Sequence, residues 1–167
     1  MKLRQARDED AEAIYRIMKQ VHRELADKSL FVCDDLAFVK AHISESGFGV
    51  VACDDSGQIV GSFLFRYPGE AADNLGRDMG LPEQELCRVV HMESAVVLPQ
   101  YRGRHLQSQM LQYGEQLIDK SRYIYFMTTV SPDNPASYLT FERAGYRIAA
   151  TKEKYGGYLR RIYCKRL

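Results

Sequence analysis

The run Val96-Val97-Leu98-Pro99-Gln100-Tyr101-Arg102-Gly103-Arg104-His105-Leu106 constrains the fold more than any other part of this chain. An apolar stretch meets a proline, a short basic loop follows, and a helical stripe begins in which Leu106, Met110, Tyr113, Gly114 and Leu117 share one face. A strand that feeds a helix through such a loop turns several backbone N–H groups toward one point, with the positive helix end behind them. That arrangement suits a pyrophosphate. The same residues also read as a basic loop that merely opens a helix, so the rest of the chain has to decide.

Apolar spacing organises what lies on either side. Leu3 to Ala6 reads as a strand. Asp8-Glu9-Asp10 supplies negative charge to a helix start, and Ile14, Ile17, Met18, Val21 and Leu25 make one stripe. A second helix begins near Asp34-Asp35, carries Leu36, Val39 and Ile43, and ends at Gly47. Gly49 to Cys53 and Gln58 to Phe65 are strands joined by Asp54-Asp55-Ser56-Gly57, a hairpin signal. Cys87 to Leu98 is a strand, Arg104 to Lys120 a helix, Tyr123 to Val130 a strand and Pro135 to Ala144 a helix stopped by Gly145. Tyr146 to Lys152 and Tyr158 to Lys165 are strands around Tyr155-Gly156-Gly157. The order βααββ, a long connection, then βαβαββ implies an α/β chain of the α+β type. It implies a mixed, mostly antiparallel sheet of six or seven strands, with about four helices on its two faces.

No repeat or linker divides the 167 residues, so one domain over 1–167 is expected. A hydrophobic share of 46% with 27% charged residues excludes a disordered chain. A net charge of +1 speaks against a nucleic-acid partner, since Arg102, Arg104, Arg122, Arg160-Arg161 and Lys165-Arg166 fall mostly on solvated positions. No apolar run approaches a membrane span, and no signal peptide opens the chain, so the cytoplasm is expected. Cys33, Cys53, Cys87 and Cys164 are scattered, and His22, His42, His91 and His105 form no ligand pair, so no metal is expected.

A second motif lies about thirty residues after the first: Ser131-Pro132-Asp133-Asn134-Pro135-Ala136-Ser137, then Phe141-Glu142-Arg143-Ala144-Gly145-Tyr146. Together the two motifs resemble the GCN5-related N-acetyltransferases, the GNAT family, and the order of elements extends the resemblance over nearly the whole chain. The resemblance implies acetyl-CoA as co-substrate and a sheet that parts between its fourth and fifth strands. It implies an acceptor that is a small-molecule or peptide amine, handled by a monomer or homodimer. In the family signature Arg or Gln is followed by two free positions, Gly, one free position, then Gly or Ala. Here Arg102 fits, and Gly103, Arg104, Leu106 and Ser108 complete the loop, but His105 and Gln107 stand at the two small positions. Glycine would supply clearance and freedom at positive φ. His105 therefore either keeps an ordinary helical φ or swings its ring clear. Backbone N–H groups of Ala95, Val96 and Val97 would face the thioester, and Asn134 the pantetheine arm. Asn134 before Pro135 also has the form of a helix N-cap, and both roles are compatible.

Acetyl transfer to an amine requires a base for the ammonium proton, donors for the thioester carbonyl and an acid or tolerance for the leaving thiolate. Strand alternation puts His91, Glu93 and Ala95 on one face. Glu93 is the expected base, directly or through water; His91 as base with Glu93 orienting it is the variant. A salt bridge from Glu93 to Arg66 or Arg88 is the purely structural alternative. Many family members carry Tyr where this chain has Phe141. Tyr138, one turn earlier, is then the expected acid or else a half-buried aromatic, with Tyr155 and Tyr158 as further candidates. The missing hydroxyl also leaves open a CoA-binding regulatory or catalytically weak module. The connection Tyr67 to Leu86 carries Glu70, Asp73, Asp78, Glu83 and Glu85 and reads either as a mobile acidic lid over the acceptor or as a solvated surface run.

Overall fold

Seven strands make one sheet in the structure, a computed structural model that describes residues 1–167; they stand side by side in chain order except that the last strand lies between the fifth and the sixth. Six α-helices accompany them, two of these single turns of four residues. The contacts divide the chain into two units, 1–66 with 93–117 and 67–92 with 118–167.

The first unit contains β1 (Lys2–Gln5), α1 (Ala11–Glu24), α2 (Leu36–Ser44), β2 (Gly47–Cys53), β3 (Ile59–Arg66), the second half of β4 (Val89–Val97) and α5 (Leu106–Leu117). β1 pairs antiparallel with β2, and β2 with β3. The turn between β2 and β3 is closed by Asp54, whose Oδ1 accepts from the backbone of Ser56 and Gln58. Alternation along β3 sends its side chains to two layers. Leu64 meets Ile43 of α2 around Gly49, whereas Phe65 lies under Gly114 of α5. Phe65 also stacks on Phe48 at 4.6 Å and on Phe63 at 4.8 Å. Ile14, Ile17, Met18 and Val21 of the α1 stripe are buried as their spacing requires, with Ile14 and Met18 fully enclosed, whereas Leu25 follows the helix as its half-buried cap. Gly47 does not end α2; Glu45 caps that helix and Gly47 opens β2.

α5 departs from expectation at both ends. It starts at Leu106 rather than Arg104, because Gly103 (φ 75°) and His105 (φ 58°) hold left-handed backbone that no α-helix contains. It stops at Leu117, which is exposed, while Leu111 fills the buried face in its place.

The second unit contains the first half of β4, α3 (Leu75–Asp78), α4 (Glu83–Leu86), β5 (Tyr125–Val130), α6 (Pro135–Arg143), β6 (Arg147–Lys154) and β7 (Tyr158–Arg166). Leu75, Val89, Tyr125, Met127 and Ile162 form a buried cluster. β7 pairs antiparallel with both β5 and β6. The parallel β4–β5 ladder joins Val89, Val90 and His91 to Tyr125, Phe126 and Met127 and ends there, as the expected parting of these strands requires. The connection 67–86 is built rather than loose. The Asn74 side chain, 1% exposed, donates to the carbonyls of Gly69 and Leu86 and accepts from the Gly76 N–H. Three of its carboxylates are in ion pairs: Asp78 with Lys152 and Lys154, Glu83 with Arg77, and Glu85 with Arg88. The segment is thus packed, and three of its five expected carboxylates are neutralised.

Candidate active site

The first unit presents the basic loop. Pro99–Tyr101 forms one 3-10 turn after β4, and the Leu98 N–H donates to the Val60 carbonyl at 2.9 Å, which fixes where the loop departs. The Tyr101 hydroxyl donates to Asp54 Oδ2 at 3.1 Å, so the β2–β3 turn braces the loop. Arg104 lies over the Tyr101 ring at 5.2 Å, and the Arg102 Nε donates to the Val97 carbonyl. Gly103 then takes φ 75° and His105 φ 58°, and α5 begins with no acidic residue in its first turn.

Of the two expectations for His105, the structure overturns the ordinary helical φ. His105 adopts the left-handed backbone itself. Histidine is among the non-glycine types enriched there, at a cost of about 1–2 kcal/mol. Hence the turn survives loss of the family's glycine. The first-turn N–H groups of a helix lack i−4 carbonyls, and here they sit behind two arginines with no acid beside them. That environment fits a pyrophosphate.

Glu93 lies on β4, half-buried, next to Ser94. Val96 is buried, whereas Ala95 and Val97 are half-buried. A second carboxyl group, which sequence reading did not single out, joins Glu93: Asp34, in the segment between α1 and α2, accepts from Ser94 Oγ at 3.3 Å. Burial foremost, and then the nearby charge of Glu93, push the Asp34 carboxyl up to about 6. Arg88, one structural alternative for Glu93, pairs with Glu85 instead.

In the second unit His91 is 4% exposed, and its Nε2 accepts the backbone N–H of Leu75 at 3.0 Å. The imidazole lone pair that a base would use is thereby engaged in holding α3. Asn134 caps α6: its side chain accepts from the Ser137 N–H at 3.2 Å, ahead of Pro135. Phe141 is buried, edge-on to Tyr146 at 5.2 Å. Tyr138 is half-buried, with the Arg161 guanidinium 5.2 Å over its ring. The Tyr155 hydroxyl shares a hydrogen bond with Thr129 at 2.8 Å, and Tyr155 and Tyr158 both stack on Arg160. No cluster of His, Cys, Asp and Glu is placed to hold a metal ion. No helix is long and apolar enough to cross a membrane.

Comparison with known proteins bears on both motifs. The family model for the acetyltransferase (GNAT) family matches residues 11–146. No curated protein is detectably similar in sequence. Among solved structures the chain is similar to Naa20 of Chaetomium thermophilum, in complex with a bisubstrate analogue: 16% identity, TM-score 0.74, covering 100% of this chain and 87% of that one. It is similar to yncA of Salmonella typhimurium, solved with its cofactor acetyl-CoA: 19% identity, TM-score 0.69, coverage 100% and 92%. It is also similar to a ribosomal-protein-alanine N-acetyltransferase of Brucella melitensis: 17% identity, TM-score 0.70, coverage 100% of both chains.

Proposed function

The chain belongs to the GNAT acetyltransferase family, and from that premise we propose that it transfers an acetyl group from acetyl-CoA to the amine of a small molecule or peptide. The observation that carries this reading is the loop before α5. Two successive left-handed turns, at Gly103 and His105, and two arginines precede a helix start free of acidic side chains. Arg102, Gly103, Arg104, His105, Leu106, Gln107 and Ser108 hold the pyrophosphate, mainly through backbone N–H groups. Ala95, Val96 and Val97 offer strand N–H groups to the thioester carbonyl, and Asn134 serves the pantetheine arm while capping α6.

Acetyl-CoA supplies an acyl group already activated as a thioester. Glu93 takes the proton of the acceptor's ammonium, leaving the neutral amine as nucleophile. The N–C bond then forms as the C–S bond breaks, and the sulfur leaves with the bonding electrons. Tyr138, one turn before Phe141, takes the part of the hydroxyl that Phe141 lacks: it protonates the departing sulfur, and the second proton shed by the new amide nitrogen replaces the one it gives up. Because a thiol has a pKa near 8.5, release proceeds even where this help is weak. His91, its Nε2 taken by Leu75, supports the strand rather than the proton transfer. The whole of 1–167 acts as one domain, as a monomer or homodimer. All four cysteines are free thiols, in keeping with a reducing cytoplasm.

One observation favours a second reading, a CoA-binding module with weak or no turnover: the side chain at the usual acid position is the buried ring of Phe141. The test is calorimetric titration with acetyl-CoA, followed by mass spectrometry of an amine and peptide panel. Micromolar binding with an acetylated product is expected. Binding without product establishes the second reading, and no binding contradicts both.

A further inference from the structure

Two carboxylates of the first unit show opposite environments. Asp10 accepts two hydrogen bonds from Arg4, at 2.7 and 2.9 Å, and one from the Arg7 N–H. Those donors hold its carboxyl below the usual range. Asp34 is also withdrawn from solvent, yet its carboxylate accepts from one neutral hydroxyl, that of Ser94. A carboxylate serving only the fold is poorly placed there, because burial and a like charge both penalise ionisation. The groups that act on Asp34 are Glu93 and Ser94 from β4, Arg66 from β3 and Asp35 from its own segment. Cys33, beside it, feels Lys19 of α1 and Asp34 itself.

We propose that Asp34 is a positioning residue for Glu93: its hydrogen bond from Ser94 Oγ ties a second carboxyl group to the strand position next to Glu93, so that accepting the acceptor's proton depends on the state of both. This rests on the acetyltransferase reading above and narrows it to an acceptor that arrives as a cation. The coupling is mutual. When Asp34 is ionised, its charge strengthens the hold of Glu93 on a proton and draws the ammonium group toward the pair. When Asp34 is protonated, below about 6, both effects are lost. The two groups therefore titrate as a pair, with the acid limb of activity belonging to both.

The test is the pH profile of kcat/KM for the acceptor in wild type, Asp34→Asn and Ser94→Ala, together with an NMR titration of the Asp34 carboxyl in wild type and Glu93→Gln. Asp34→Asn, isosteric and uncharged, is expected to move the acid limb to lower pH by roughly one unit, on the scale of a neighbouring charge. It should lower kcat/KM at neutral pH and leave the KM for acetyl-CoA unchanged. Ser94→Ala removes the one donor to ionised Asp34 and should move the limb the opposite way. A merely structural role lowers activity at every pH without moving the limb, and that result overturns the proposal. In Glu93→Gln the Asp34 carboxyl should titrate lower than in wild type; an unchanged titration overturns the pairing even if the enzyme is active. A wild type that binds acetyl-CoA but acetylates no amine overturns the acetyltransferase reading, and this role with it.

Discussion

His105 shows how one residue can carry a turn without the glycine that usually makes it. Its φ of 58° stores strain that a residue without Cβ does not feel. His105→Gly should therefore raise the melting temperature by roughly 2–4 °C, the response of a chain of this size to about 1 kcal/mol. Acetyl-CoA affinity, measured by calorimetry, should hold or improve. A large loss of affinity would mean that the imidazole itself contacts the ligand. The Arg4–Asp10 pair belongs to the same scale. Asp10 is 6% exposed while Arg4 keeps about a quarter of its side-chain surface in water, so Asp10→Asn should cost about 2 kcal/mol, below the 3–5 of a fully buried pair. Because its folded-state carboxyl is depressed, the stabilisation is complete above the unfolded value near 4 and disappears as pH falls through the folded one. Melting curves of wild type and Asp10→Asn should converge as pH falls below about 4. Residue-scale chemistry was partly legible in sequence. Arg102, Gly103 and Glu93 stood out through their motif and strand context, and Asn134 through its place before Pro135. Asp34 did not, because its partner Ser94 lies 60 residues away and no local spacing connects the two.

Elements succeed or fail on their closest contacts. α5 can lie on β3 because Gly114 has no Cβ: one built there would fall on the Phe65 ring, which is itself stacked between Phe48 and Phe63. Gly114→Ala gains up to about 1 kcal/mol of helix propensity. Against this, overpacking of a full core costs about 1–3 kcal/mol or more. The second effect wins because the contact is with a ring fixed on both sides, and urea denaturation should show a net loss of stability. A neutral or stabilising result would mean that α5 is free to lift from the sheet. The stripe of α1, the β2–β3 hairpin and the order of strands were readable from spacing, since each is set by periodicity or a short turn. The ends of α5 were not, because they depend on backbone at Gly103 and His105 that spacing does not reveal. Nor was the packing of 67–86 readable: Asn74 as a buried hub and Lys152 and Lys154 as partners of Asp78 are tertiary facts. A charge count alone made that segment look like an acidic lid.

At the scale of the whole molecule, family membership and strand order agree with the two motifs read from the sequence, and the parallel ladder ends at His91 as that architecture requires. His105, Gln107 and Phe141 depart from the family's pattern at cofactor and acid positions, which leaves turnover resting on the base. Glu93 acting as a base in a working transferase has a kinetic consequence. The direct measurement is thiol release from acetyl-CoA across a panel of cationic amines, for wild type and Glu93→Gln at saturating acetyl-CoA. Amine-dependent release by wild type is expected, with a kcat lower by about 10²–10⁴ in Glu93→Gln and the KM for acetyl-CoA nearly unchanged. Release that ignores the amine, or a Glu93→Gln protein with the wild-type rate and pH dependence, would contradict it.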